Sequence, residues 1–389
     1  MTTTTTIPNI GAGQGTNPLK GLLAYGQSPW MDYIRRDLLT TGELQKYIEN
    51  DGLRGMTSNP AIFEKAIVGS NLYTDIISSP DARKLGAKGL FDKIAFRDVQ
   101  DACDIFRPTY SETKRRDGYV SHEVYPDLAN DTKTTIEEAR RLWKSINRPN
   151  VMIKIPATPE GIPAIRQTLE EGLNINITLL FAQSRYEQVA EAFLSALEAR
   201  AAKGQDISHI ASVASFFVSR IDTLVDSMID EKLKTARDDA QKALLESLRG
   251  KVAIANARLT YKKYQELFGG PRWKALAAKG AQTQRLLWAS TSTKNPKYRD
   301  VIYVEELIGA DTVDTIPPAT FDAFRDHGKL RPSLTEDVPG AQKIMDNLAK
   351  AGISMKEVTD KLLVDGVKVF ADAFRQLLEA TGKTAGAHA

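Results

Sequence analysis

A single lysine near the end of an apolar segment is placed to do carbonyl chemistry. Residues 150–158 read NVMIKIPAT, and Lys154 is the one charged side chain among them. Such a run is typical of a strand buried on both faces, on which Met152 and Lys154 point the same way. Burial lowers the pKa of a lysine, and an uncharged amine attacks carbonyl carbons. The segment alone leaves a second interpretation open, in which the lysine stem covers the strand and its charged end reaches the rim.

Polar side chains also stand near the ends of other apolar segments. They comprise two carboxylates, a row of amides and hydroxyls and a basic, hydroxyl-rich stretch: Asp32, Asn59, Glu123, Asn176, Thr178, Ser215, Arg220, Ser292 and Lys294. Each of them alone also fits an ordinary role, such as a hydrogen bond at a strand edge or an ion pair at a helix start. In a barrel the carboxyl ends of the strands form the active-site face, so the set as a whole indicates a Schiff-base site with an anion clamp.

The elements that must position these side chains alternate along the chain. Short segments rich in β-branched or apolar residues predict strands at 28–32, 53–57, 119–124, 151–155, 174–179, 210–217, 285–289 and 312–316. The segments between them read as helices, at 33–49, 61–106, 132–147, 163–171, 182–202, 221–278 and 298–307. Eight strands separated by helices predict an α/β protein with a (β/α)8 TIM barrel, and an open doubly wound sheet is the competing layout.

Two segments of the chain are additional to the strands and helices of a minimal (β/α)8 barrel. Residues 221–278 are long enough for three helices between the sixth and seventh strands. Residues 354–378 predict a long helix that packs outside the barrel or on a partner subunit, with one apolar stripe made of Val358, Leu362, Val369, Phe370, Phe374 and Leu377. We therefore predict a flexible leader over 1–24, one barrel domain over 25–380 that includes both segments, and a disordered tail over 381–389.

Composition excludes several classes of function. The net charge is +3, from 52 basic and 49 acidic residues, which gives no basic footprint for nucleic acid. Cys103 is the only cysteine, so no disulfide or cysteine-rich metal site is expected. No run reaches the length of a membrane-spanning helix, and the threonine-rich start is not a signal peptide. These features predict a soluble cytoplasmic protein with no membrane partner and no metal.

Four motifs carry a resemblance to a known family. They are GLRGMTSNPAIFE at 52–64, VSHEV at 120–124, IKIPAT at 153–158 and GLNINITLLF at 172–181. In this order they resemble the transaldolases, most of all the longer bacterial members, and the resemblance runs from about residue 26 to residue 327. It implies a (β/α)8 barrel that moves a dihydroxyacetone unit between sugar phosphates in the pentose phosphate pathway, with neither a metal nor an organic cofactor.

The resemblance also implies a role for each matched residue. Lys154 forms the Schiff base with the ketose carbonyl, and Asp32 exchanges the proton of the C4 hydroxyl. Glu123 works through a water during formation of the imine, and Thr178 helps to position that water. Further matches bind the substrate's hydroxyls or its phosphate, namely Asn59, Asn176, Ser215 and Arg220.

The seventh strand departs from the family pattern. Shorter members have an arginine just after an alanine–serine pair, whereas this chain reads ASTSTKN at 289–295. Either Lys294 or Ser292 completes the phosphate pocket, and the sequence leaves this choice open.

Two rival functions were weighed against transfer. Fructose-6-phosphate aldolases release dihydroxyacetone, and they carry glutamine and tyrosine where this chain has Glu123 and Phe217. Both positions favour transfer. The other rival, a barrel that serves as a non-catalytic scaffold, is disfavoured because every matched chemical position is kept. The sequence indicates sugar phosphates as partners and gives no oligomeric state.

Overall fold

Eight parallel strands form a closed ring whose order is the order of the chain. A computed structural model describes residues 17–387 apart from 69 and 80–81. The strands are β1 (Gln27–Asp32), β2 (Gly55–Thr57), β3 (Tyr119–Glu123), β4 (Val151–Pro156), β5 (Ile175–Leu180), β6 (Ser212–Phe217), β7 (Arg285–Ala289) and β8 (Thr312–Ile316). The predicted (β/α)8 TIM barrel is confirmed, and the bounds predicted for β7 and β8 agree with the structure.

Helices surround this ring. Among the residues that the structure describes they are α1 (Pro18–Gly21), α2 (Arg36–Thr40), α3 (Glu43–Asp51), α4 (Pro60–Ile67), α5 (Thr74–Ile77), α6 (Ala82–Ile105), α7 (Arg107–Glu112), α8 (Thr132–Ile146), α9 (Gly161–Glu171), α10 (Gln183–Ala202), α11 (Ser219–Leu233), α12 (Asp239–Glu246), α13 (Val252–Leu267), α14 (Pro271–Ala277), α15 (Ile302–Glu305), α16 (Pro318–His327), α17 (Val338–Lys350) and α18 (Met355–Ala387). Short 3-10 helices lie at Leu22–Tyr25, Pro126–Leu128 and Ser333–Thr335. None of these helices is long and apolar enough to cross a membrane.

The register of the strands collects inward-facing polar side chains into one layer. Glu123 of β3 is level with Lys154 of β4, which is in turn level with Asn176 of β5. Side chains alternate along a strand, so these three residues all project into the barrel. On the other side of the ring, Asp32 of β1 is level with Thr57 of β2. The polar side chains that were predicted from the strand ends therefore face the same interior space of the barrel.

The amino-terminal end of the barrel is closed by a buried polar plug. The guanidinium of Arg285 lies 2.8 Å from an oxygen of Asp117, and the other oxygen of this carboxylate accepts from the hydroxyl of Ser28 at 2.8 Å. Trp30 fills the space above this pair, and a Cβ on Gly55 would come within 2.5 Å of its indole ring. Since this end is filled by side chains, substrates can enter only from the carboxyl ends of the strands.

The segment between β6 and β7 holds four helices, α11 to α14, where the sequence predicted room for three. The extra helix arises because three short breaks, at 234–238, 247–251 and 268–270, divide the segment more finely than its apolar pattern suggests.

The C-terminal helix α18 packs on outer helices α4, α6 and α11, and it also contacts the end of β5. Five residues of its predicted apolar stripe are buried, but Val369 is 48% exposed. The buried face follows an i, i+4 row that includes Gly366, and each step of four residues rotates that face by about 40° around the helix axis. The buried face turns away from Val369 as α18 crosses the barrel. The prediction that Val369 belongs to the buried stripe was therefore wrong.

Both predicted chain ends differ from the structure where it describes them. Residues 17–24 were predicted to be part of a flexible leader, yet Leu19 and Leu22 are completely buried in α1 and the turn after it. The predicted tail over 381–389 begins as a continuation of α18, with Thr381 donating to the carbonyl of Leu377. Residues 1–16 and 388–389 lie outside the described part of the chain.

Candidate active site

A cavity of about 290 Å³ opens at the carboxyl ends of the strands. Most of the site residues predicted from the sequence line it, namely Asp32, Asn59, Lys154, Thr178, Ser215, Arg220, Ser292 and Lys294. The two remaining ones, Glu123 and Asn176, lie in its wall and contact lining residues. The structure thus brings together side chains that come from seven of the eight strands or the loops that follow them.

Lys154 lies on β4 and is 5% exposed. Its Nζ donates to the backbone carbonyl of Ser58 at 3.0 Å and lies 3.4 Å from Oε2 of Glu123. Both contacts fix the amine at the floor of the cavity. A single buried amine with one carboxylate neighbour can attack a carbonyl carbon and have its proton handled locally.

Burial raises the pKa of both carboxyl groups in the site. For Asp32, burial is opposed by the charge of Lys154 and by a hydrogen bond from Thr57, whose hydroxyl lies 2.7 Å from Oδ1. For Glu123, burial is opposed chiefly by Lys154, and the nearby charge of Asp32 raises its pKa further. Raised carboxyl pKa values suit groups that must take up and release protons near neutral pH.

The amide of Asn176 is held from both ends. Its Nδ2 donates to the hydroxyl of Ser121 at 2.9 Å, and its Oδ1 accepts from the hydroxyl of Ser215 at 2.6 Å. Because Ser215 uses its proton in this bond, it offers the cavity only an acceptor, and its first effect is to orient Asn176.

Two other predicted polar residues present unused groups to the cavity. The hydroxyl of Thr178 is buried and has no hydrogen-bond partner in the described part of the chain. Asn59 caps α4, its Oδ1 accepting from the backbone N–H of Ile62 at 3.1 Å, and its Nδ2 has no partner among the described residues. A buried polar group without a partner is costly, so the hydroxyl of Thr178 suits a water or a substrate hydroxyl. Within the ranges that the structure describes, the Nδ2 of Asn59 is a free donor at the wall of the same cavity.

Cations form the outer part of the cavity. Arg220 lies in the first turn of α11, with its guanidinium 5.5 Å from the ring centre of Phe217. Lys294 lies in the loop after β7, and its Nζ donates to the hydroxyl of Ser292 at 2.6 Å. Burial lowers the pKa of both Arg220 and Lys294. Lys294 and Ser292, between which the sequence left the choice open, both line the cavity and are hydrogen-bonded to each other.

Helix α11 and the loop after β7 are tied together behind these cations. The hydroxyl of Tyr298 donates to Asp226 at 2.5 Å, and that of Tyr303 donates to Asp222 at 2.8 Å. Burial raises the pKa of Asp222 to about 7. We call these four residues the tyrosine clamp, and its effect is to fix the loop that carries Lys294 against the helix that carries Arg220.

Sequence reasoning missed several residues that line the cavity, namely Thr57, Lys65, Thr315 and Phe370. Strand alternation could have found the threonines, because Thr57 and Thr315 lie on the inward side of β2 and β8 and their hydroxyls are 2.7 Å apart. No local signal marks Lys65 or Phe370, because both reach the cavity from helices. Within the described residues no group of three or more metal-binding side chains is close enough to hold an ion.

Comparisons with known proteins show which family the sequence resembles. Residues 29–381 match the family model described as transaldolase/fructose-6-phosphate aldolase. A protein of Trichodesmium erythraeum named transaldolase is 49% identical over 367 residues, which cover 94% of this chain and 97% of that protein. Transaldolase 2 of Nostoc punctiforme is 50% identical with the same coverage, and a transaldolase of Mycolicibacterium paratuberculosis is 44% identical over 95% of this chain and 98% of that protein.

Proposed function

The chain belongs to the transaldolase/fructose-6-phosphate aldolase family, and from this premise we propose that it is a transferase that moves a dihydroxyacetone unit between sugar phosphates through an imine on Lys154. The reaction would convert sedoheptulose 7-phosphate and glyceraldehyde 3-phosphate into erythrose 4-phosphate and fructose 6-phosphate. One observation carries the mechanism: the buried amine of Lys154 lies 3.4 Å from Glu123 in a cavity whose outer part is cationic.

The first step joins substrate and enzyme. The amine of Lys154 attacks the C2 carbonyl of the ketose, and the resulting carbinolamine loses water to give a protonated imine. Glu123 supplies the proton for the departing hydroxyl, directly or through a water that the free hydroxyl of Thr178 would hold. The raised pKa of Glu123 keeps a proton available for this transfer.

The second step breaks the C3–C4 bond. The carboxylate of Asp32 takes the proton of the C4 hydroxyl, C4 becomes an aldehyde, and the bonding electrons move into the imine to give an enamine. The first product then leaves. In the reverse sense, the enamine carbon attacks the aldehyde of the acceptor, Asp32 returns its proton to the new hydroxyl, and water releases the ketose from Lys154.

Amides and cations hold the substrate during these steps. Asn59 and Asn176 would bind its hydroxyls, and Arg220 with the Lys294–Ser292 pair would bind its phosphate, for which a guanidinium offers two parallel donors. Such fixed contacts keep the enamine in place until an acceptor arrives.

Simple aldol cleavage is the alternative reaction within the family. The inner wall of the cavity has Phe217, which carries no hydroxyl, and Glu123 contacts Lys154 where aldolases carry a glutamine. Both features favour transfer over release of dihydroxyacetone. We further propose that the enzyme acts in the pentose phosphate pathway of the cytoplasm, as a single catalytic domain without a cofactor.

The decisive experiment traps the imine. The enzyme is treated with fructose 6-phosphate and sodium borohydride, and its peptides are mapped by mass spectrometry. We expect one adduct, on Lys154, and none in Lys154→Met. An adduct on another lysine would remove the mechanism. A coupled assay with and without erythrose 4-phosphate then separates the reactions, because free dihydroxyacetone as the main product would identify an aldolase.

A further inference from the structure

A third cation borders the proposed phosphate pocket. Lys65 of α4 lines the same cavity as Arg220 and Lys294, and its charge acts on Lys294 strongly enough to lower the pKa of that lysine further. Among the described residues, no carboxylate lies within 4.0 Å of any of these three cations. Three like charges around one cavity repel one another, and although Asp32 attracts both Arg220 and Lys294, an anion bound among all three would stabilise them further.

Lys65 approaches the cavity from the side opposite to Arg220. Helix α4 follows β2 and α11 follows β6, and these two strands face each other across a ring of eight. Lys294 enters from the loop after β7, and the charges of both other cations lower its pKa. The three charges therefore surround the mouth of the cavity.

Lys65 lies nearer to the rim of the cavity than Arg220 does. It lies in the last turn of α4 and is exposed, as Lys294 is, whereas Arg220 is only partly exposed. A ketose held at C2 by Lys154 extends its phosphate outward, and each further carbon carries the phosphate closer to the rim. The phosphate of a seven-carbon ketose thus reaches the level of Lys65 more fully than that of a six-carbon ketose.

We propose that Lys65 is a third phosphate ligand and that it favours the longer, seven-carbon donor. This inference rests on the proposed function. The proposed role of Lys65 differs from the structural role that a lysine in the last turn of a helix ordinarily has. That ordinary role is to stabilise the carboxyl end of the helix dipole.

The test compares three donors with erythrose 4-phosphate or glyceraldehyde 3-phosphate as the acceptor. In Lys65→Gln we expect kcat/KM for sedoheptulose 7-phosphate to fall about tenfold, the effect of losing one charged hydrogen bond. The loss should be smaller for fructose 6-phosphate and absent for unphosphorylated fructose. Lys65→Arg should retain most of the activity because it keeps the charge.

Lys297→Gln is the matched control, because this lysine is in the same loop as Lys294 but does not line the cavity. It removes the same charge without removing the proposed contact, and we expect it to leave all three donors unaffected. An equal loss for all donors in Lys65→Gln would overturn the proposal in favour of a structural role in α4. An equal loss for both phosphorylated donors would overturn the selection by length, and no loss would overturn the contact itself.

Borohydride trapping separates a failure of this inference from a failure of the proposed function. Lys65→Gln should still form the adduct on Lys154 at saturating fructose 6-phosphate. Absence of that adduct in the unaltered enzyme would instead mean that the imine mechanism is wrong, whatever Lys65 binds.

Discussion

Lys154 and two carboxyl groups form a coupled set in which burial and charge act in opposite directions. Burial raises the pKa of Asp32 and Glu123, while the ammonium of Lys154 lowers both. The net effect is a raised pKa, so each carboxyl is protonated at a higher pH than it would be in water. Each can therefore exchange a proton during turnover. The roles we propose divide the work: Glu123 serves the imine and Asp32 serves the carbon–carbon bond.

The first prediction separates these roles with Asp32→Asn. The amide keeps the size of the side chain but cannot accept the C4 hydroxyl proton, so kcat should fall by a factor on the order of a hundred or more. Imine formation does not use Asp32, and borohydride trapping on Lys154 should persist. Near-normal turnover would assign the proton transfer to another group.

The second prediction concerns pH. Asp32 acts as a base only when it is deprotonated, and its raised pKa means that it gains a proton at a higher pH than an exposed aspartate with a pKa of 3.8. We therefore expect kcat to decline on the acid side at a higher pH than the titration of an exposed aspartate would give, as follows from the direction of this shift. Thr57→Val removes a hydrogen bond that lowers this pKa, and it should move the decline to higher pH with the same substrates. An unchanged profile would mean that another group controls the acid limb.

Helix α11 and the loop after β7 work as one unit because the tyrosine clamp joins them. The hydroxyl groups of Tyr298 and Tyr303 bind two aspartates one helical turn apart on α11. Arg220 precedes these aspartates on the same helix, and Lys294 precedes Tyr298 in the loop after β7. Tyr303 lies on α15, which follows this loop. The spacing between the two cations of the proposed phosphate site is thus set by contacts among residues that do not line the cavity.

The third prediction tests this positioning with Tyr298→Phe. Loss of the hydroxyl leaves Asp226 without this donor, which should cost about 1–3 kcal/mol of stability and loosen the loop that carries Lys294. We expect KM for phosphorylated ketoses to rise severalfold while kcat stays nearly unchanged.

Tyr261→Phe is the control for that change. Its hydroxyl donates to the carbonyl of Ala310 at 2.8 Å, away from the loop, so a comparable loss of stability should leave KM unaltered. Equal effects of both variants on KM would mean that the clamp does not position the phosphate.

The molecule as a whole closes its active site with the last long helix. In α18, Phe370 lines the cavity, and Gly366 packs so closely on Leu179, which follows Thr178, that a Cβ there would come within 2.9 Å. The ring of Phe374 stacks on Tyr125, 4.9 Å between centres, two residues after Glu123. The C-terminal helix therefore supports two of the strands that carry the proposed chemistry.

The fourth prediction compares two residues of this helix. Phe374 is 3% exposed and Val369 is 48% exposed. Phe374→Ala should lower the free energy of unfolding by about 3–5 kcal/mol, whereas Val369→Ala should change it by less than about 0.5 kcal/mol. Urea denaturation measures both. Similar losses would show that α18 is not held to the barrel through this stripe.

The sequence determined the barrel and most of the site because those signals are local. Short strands with alternating side chains predict which residues face inward, and ring closure brings their carboxyl ends together, so Lys154, Asp32 and Glu123 were expected in one site before any contact was known. The separate role of each residue came from the resemblance to the transaldolases. Even β5, where Leu179 takes a left-handed backbone conformation with φ of 59°, was found from its pattern.

Only the tertiary structure decided what helices and loops bring to the cavity. Lys65, Phe370 and the tyrosine clamp act across long separations in the chain, and helical periodicity predicts an apolar or polar face without saying which element covers it. The same limit explains Val369, since a buried face that turns along α18 depends on the neighbours it crosses. The direction in which a side chain points is set locally, by its position in a strand. Which residues from distant parts of the chain lie close together is set only by the packing of the whole molecule.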